Sequence, residues 1–213
     1  MKKKKLVAVC LAMTFIFSAF TACKRNDIKE ETKETDYIEK ANKDQLTLYQ
    51  DGSILEVSVV DMSGIDDTSD LKEYVEVQVA GFNKAEGVDK ASLLQYEENG
   101  KLVKTAIKFS SLDAYNDFNK FDFDLQIYKA TSTDADAVIT ATYTDAKTSQ
   151  TVNSYDVDGE GLMMLTVDKP YIIKIDDGKI LYTGKGAKVV VSGGEDAAEV
   201  EEGKEGVILF QFK

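Results

Sequence analysis

The dipeptide Asn99-Gly100 restricts the fold more than any other feature of the sequence. An Asn-Gly pair between two alternating apolar and polar stretches supplies the positive φ angles of a tight type I′ turn. Leu93–Glu97 and Lys101–Phe109 should therefore fold back on each other as a β-hairpin. Within it Val103, Thr105, Ile107 and Phe109 share one face, and Lys104 and Lys108 share the other. A lone hairpin is not stable in water, so its apolar face needs a covering layer from the rest of the chain.

Upstream, Leu55, Val57 and Val59 alternate with Glu56, Ser58 and Val60, which predicts a strand with one buried face. Gly64 and an acidic run through Asp70 end it. The next stretch supports two readings. Leu71, Tyr74, Val75, Gln78, Val79 and Phe82 fall at helical spacing, with Ser69 and Asp70 able to cap, yet Val75, Val77 and Val79 also alternate as a strand would. We adopt the helix because Leu71 and Phe82 both join its face. After the hairpin, Ser110 or Ser111 caps a short helix carrying Leu112, Tyr115 and Phe118. A strand then alternates Phe121, Phe123, Leu125 and Ile127 with Asp122, Asp124 and Gln126.

The second half reads as strands: Val138–Tyr143, Thr151–Val157 and Leu162–Val167 before Pro170, then Tyr171–Ile175 and Lys179–Thr183 around Asp176-Asp177-Gly178, a second hairpin signal. Ala187–Ser192 makes a further strand, Gly193–Gly203 an acidic loop, and Val207–Phe212 a closing strand. The expected fold class is α+β: mainly antiparallel strands, two short-to-medium helices in the first half and a strand-rich second half. The stretch 131–136 is the one candidate internal boundary.

At the N-terminus Lys2–Lys5 precede an apolar run from Leu6 to Phe20, and Phe20-Thr21-Ala22 lead into Cys23. A charged start, a greasy middle and a small-residue exit make a secretory signal peptide. Residues 20–23 resemble the lipobox of bacterial lipoproteins, which implies cleavage after residue 22 and acylation of the Cys23 sulfur, with palmitate as a typical chain. The run falls short of the ~20 apolar residues a membrane-spanning helix needs. An ordinary secretory cut would instead leave Cys23 as a free thiol; Cys10 departs with the signal in either case. The layout is then a removed signal at 1–22, a lipidated charged tether at 23–45 and an α+β extracytoplasmic domain at 46–213. Within the tether Asp36 and Glu39 sit at capping-box spacing, which allows a helix near Tyr37–Lys43.

Composition then narrows the chemistry. The chain has no histidine, which removes Ser-His-Asp and Cys-His nucleophiles, histidine bases and the usual zinc sites. The absence of tryptophan weakens sugar-stacking readings. Removing residues 1–22, which hold four lysines and no acids, leaves 22 basic against 38 acidic side chains, a net charge of −16. Such a surface repels nucleic acid and anionic headgroups, so the membrane is expected as a partner through the N-terminal lipid alone.

Motifs that imitate sites lack essential parts. Asp156-Val157-Asp158-Gly159-Glu160-Gly161 imitates the start of an EF-hand loop, but the closing carboxylate position is Val167. Asp66-Asp67-Asp70 and Asp134-Asp136 have the composition of solvated loops. Gly184-Lys185-Gly186 and Gly193-Gly194 read as turns, lacking the residues of a phosphate-binding loop. No catalytic, cofactor-binding or metal-binding residue is expected.

Beyond the lipobox, the order strand, helix, hairpin, short helix, strand resembles a group of small Gram-positive, clostridial-type surface lipoproteins of no established function. The resemblance rests on Val59-Val60-Asp61-Met62, Gly81-Phe82-Asn83, the stretch from Phe109 to Asn119, and Gly178-Lys179-Ile180-Leu181-Tyr182. It implies an α+β fold at the outer face of the cytoplasmic membrane and carries no catalytic residue over. The expected function is a non-catalytic binding or scaffolding module. The alternatives are a hydrolase working through carboxylates or a Ser/Lys pair, and a solute or cation receptor serving a transporter.

Overall fold

Strand β3 (Ala91–Asn99) turns back into β4 (Leu102–Phe109), as the Asn-Gly pair requires. The turn centres one residue later than expected. Asn99 pairs with Leu102, and Gly100, at φ 63°, is the only turn residue with a positive φ, the pattern of a type II′ rather than a type I′ turn. The computed structural model describes residues 36–65, 68–119, 125–130, 142–157 and 161–213.

Among the described residues thirteen strands form two sheets. The remaining strands in chain order are β1 (Gln45–Leu48), β2 (Ile54–Asp61), β5 (Leu125–Lys129), β6 (Thr142–Asp145), β7 (Thr151–Asn153), β8 (Met163–Val167), β9 (Ile172–Ile175), β10 (Gly178–Thr183), β11 (Ala187–Ser192), β12 (Glu195–Val200) and β13 (Gly206–Phe212). A seven-stranded sheet runs β11-β12-β9-β1-β2-β4-β3, and a six-stranded sheet runs β5-β8-β13-β10-β6-β7. Every pairing is antiparallel except that of β1 with β9. That parallel pair joins the first half of the chain to the second, and Tyr37–Lys213 is one unit; the stretch 131–136 lies outside the described residues.

The fold is α+β, with both described α-helices in the first half. Helix α1 (Leu71–Glu86) takes the helical reading: Val79 is buried, Val75 and Phe82 pack beside it, and Gly87 ends the helix in the left-handed conformation. Asp70 holds the N-cap position without a side-chain cap bond. Helix α2 (Leu112–Asn119) is capped by Ser111, whose hydroxyl accepts the Ala114 N–H at 3.1 Å. Phe82, Phe109, Tyr115 and Phe118 then lock both helices to β4 through ring contacts of 5.2–5.4 Å. Phe109 is fully buried, as its place on the hairpin predicts.

Four sequence-based boundaries are corrected. The folded unit begins at Tyr37, not Leu46, because residues 37–44 lie as a strap of turns, not a helix, over the outer face of the seven-stranded sheet. Ile38 and Ala41 are buried there against Leu55, Val57 and Ala106, and Lys104 Nζ donates to the Ile38 carbonyl at 3.0 Å. Strand β2 is consequently covered on both faces rather than one. Asp176-Asp177-Gly178 does not close a hairpin: β9 and β10 belong to different sheets, so the segment is a crossover. Gly193-Gly194, with φ of 67° and 91°, does close one, and Glu195–Val200 of the expected acidic loop is strand β12. Thr151–Val157 is strand only to Asn153 and continues as a 3₁₀ turn, Ser154–Asp156. Of the strands expected at 121–127 and 138–143, residues 121–124 and 138–141 lie outside the described residues.

Candidate functional site

Glu56 faces the interior between the sheets. It pairs in register with Leu46, a fully buried core residue, and directly paired strand residues share a face. The lead into β9 carries Tyr171, and a γ-turn centred on Pro170, in which the Tyr171 N–H donates to the Lys169 carbonyl at 2.8 Å, sets Lys169 beside it. From the other direction, α2 presents Tyr115 and, one turn later, Asn119. Asp44, just before β1, completes the group.

The geometry is dense. The Tyr171 hydroxyl donates to Glu56 Oε1 at 2.6 Å and accepts from Lys169 Nζ at 2.9 Å. The Tyr115 hydroxyl lies 3.1 Å from that of Tyr171. Since the single Tyr171 proton goes to Glu56, Tyr115 is the donor here, and both Tyr171 lone pairs are taken. Lys169 Nζ is also 4.0 Å from Glu56 and 3.8 Å from Asp44, and stands 4.7 Å from the centroid of the Tyr171 ring. Asp44 in turn accepts the Val59 N–H at 2.7 Å, and Asn119 hydrogen-bonds Glu56.

Burial pushes the Glu56 carboxyl above its ordinary range, against the opposing pull of Lys169 and of the Tyr171 and Asn119 hydrogen bonds. Burial and then the Glu56 charge push Tyr115 and Tyr171 far up, so both stay protonated and neither is a base at physiological pH. A carboxyl with a raised pKa near a second carboxylate has the makings of a general acid. Here, however, both carboxylates contact the same ammonium, and Tyr171 has no bonding capacity left for a substrate. The cluster closes on itself and ties β1, β2, α2 and the start of β9 together.

A concavity of about 650 Å³ lies elsewhere, between the end of α1 and β3, and is lined by Val79, Val88 and Leu93 with Glu76, Lys84 and Asp89. Its Asn83 is occupied: Nδ2 donates to the Ala91 carbonyl at 2.7 Å, while Oδ1 accepts from the Lys90 and Ala91 amides at 2.9 and 2.8 Å. Asn83 is therefore a clasp between helix and strand.

Of the motifs singled out in the sequence, the described residues do not meet at either place. Cys23, Asp66, Asp67, Asp134, Asp136 and residues 158–160 lie outside the described residues. Asp156 ends the 3₁₀ turn and accepts from Asn153 at 3.2 Å, while Val167 is buried in the core of β8. Among the described residues no three His, Cys, Asp or Glu side chains are grouped to hold a metal ion, and no helix is long and apolar enough to cross a membrane. Sequence reasoning missed Glu56, Lys169 and Tyr171. The alternation of β2 had placed Glu56 on a solvent face, and only Pro170 marked the other two. Comparison with family models, curated proteins and solved structures finds no match.

Proposed function

We propose that the chain is a lipid-anchored surface protein, held at the outer face of the cytoplasmic membrane by a diacylated Cys23, whose folded unit is a non-catalytic binding or scaffolding module. The observation that carries this reading is the run from Lys2 through Leu6–Phe20 to Phe20-Thr21-Ala22-Cys23. Two acyl chains hold a protein stably without further membrane contact. Residues 24–36 separate Cys23 from the folded unit and span at most ~45 Å when fully extended. The self-contained bonding of Glu56, Tyr171 and Lys169 supports a structural role for the one buried charged cluster described above, and so a module that does not catalyse. Labelling cells with a palmitate analogue tests the anchor: wild-type chain should carry label and sediment with membranes, and Cys23→Ser should lose both. An unlabelled wild-type chain in the soluble fraction overturns the reading.

A further inference from the structure

Among the described residues the two sheets present four edges, and three are blunted in the ways that keep strands from pairing with other chains. Strand β3 carries a bulge between Leu93 and Gln95 and the acids Glu97 and Glu98. Strand β7 has three residues, and β5 has five and ends on Lys129. Strand β11 has no bulge and no acid, and its one lysine is turned away from the edge. It is six residues long, in unbroken register with β12 from Ala187–Val200 to Ser192–Glu195, and contains Val189-Val190-Val191 without proline or acid. Among the described residues β12 is its one strand partner. Its single charge, Lys188, is drawn sideways to Glu199 of β12 at 3.0 Å rather than standing guard over the edge. Val189 packs on the core, but Val191, on the same face, is 73% exposed.

We propose that β11 is a self-association edge, through which two copies of the chain pair antiparallel about a two-fold axis perpendicular to the sheet. Such an axis keeps each face on its own side, so paired residues must have like parity. The register with Val190 on the axis meets that condition. It sets Val189 beside the partner's Val191, covering the exposed valine, and Lys188 beside the partner's Ser192, so no like charges face. The charges at the ends also match. Lys185–Ser192 holds two lysines and no acid, and the antiparallel arrangement brings its Lys185 end to the end of the partner's hairpin that carries Glu195 and Asp196. This meeting of opposite charges at both ends of the seam is what points to a second copy as the occupant.

The test is position-specific cross-linking of the full chain in membranes. Paired residues bring Cβ atoms about 4.5–5.5 Å apart, near disulfide reach, so Val190→Cys should oxidise to a dimer. Lys188→Cys, displaced about 13 Å along the strand from its own copy, should stay at the background of the wild-type chain, which has only Cys10 and Cys23. Sedimentation of detergent-solubilised chain gives a second reading: wild type at twice the chain mass, and Val191→Lys at one. Equal cross-linking at 188 and 190, a monomeric wild type, or a dimer that survives Val191→Lys would each overturn the proposal.

Discussion

Tyr171 donates its hydroxyl proton to Glu56 at 2.6 Å, although 115 residues separate the two in the chain. The bond joins the lead into β9 to the middle of β2, with β1 between them in the sheet. It also gives the buried carboxyl a neutral donor, which suits Glu56 whether or not it is ionised. Glu56 is 6% exposed, so its ionisation opposes burial and sets a pH dependence.

Glu56→Gln should gain stability relative to wild type as pH rises. The folded state holds the Glu56 proton to higher pH than the unfolded chain, whose carboxyl titrates near 4.5. Wild-type stability therefore falls as pH climbs from that value through the raised folded pKa, and the amide removes that loss. Thermal melts of both forms from pH 4 to 8 check this. The lowered carboxyls, Asp51 and Asp145, act in the opposite sense but are common to both forms. A difference in melting temperature that does not change with pH would contradict the assignment.

The strap makes a separate prediction. Ile38 is 3% exposed and covers Leu55 and Val57, so Ile38→Ala should cost about 2–4 kcal/mol by denaturant unfolding. A chain starting at Leu46 should melt below one starting at Tyr37. It loses Ile38 and Ala41 together with the Lys43–Glu199 and Asp44–Lys169 ion pairs. Equal melting temperatures would show that residues 37–45 add nothing to the fold.

Two glycines separate backbone strain from collision. Gly186 has φ +77°, and a Cβ there would stand 2.2 Å from the Glu205 carbonyl oxygen. Gly203 has a similar φ, +75°, with nothing within 4 Å. Gly203→Ala should cost about 1–2 kcal/mol, the penalty of a left-handed L-residue. Gly186→Ala should cost at least ~2 kcal/mol more, because the hairpin must shift away from the β13 approach.

The hairpin, both helices and the α+β class were legible because their signals are local: a turn pair, a cap, a repeat of apolar spacing. Phe109 follows from its place on an alternating strand. The crossover at Asp176-Asp177-Gly178 was not legible, since a tight turn looks the same whether its strands pair or part to opposite sheets. Val207–Phe210 and Met163–Val167 are apolar on both faces, so no alternation shows which side holds the core. Glu56 was hidden for a related reason. The strap buries the Leu55 and Val57 face of β2, and that made the true inner face look like the solvent side. Lys169 and Tyr171 acquire their meaning only from partners more than a hundred residues away or on another element.

The anchor is the centre of the functional account, and the mass of the mature N-terminus tests it most directly. Protein isolated from membranes and digested should yield an N-terminal peptide that begins at Cys23, with the sulfur carrying a diacylglyceryl group. A peptide beginning at Cys23 with a free thiol, or one that retains residues 1–22, would contradict the lipid-anchored assignment.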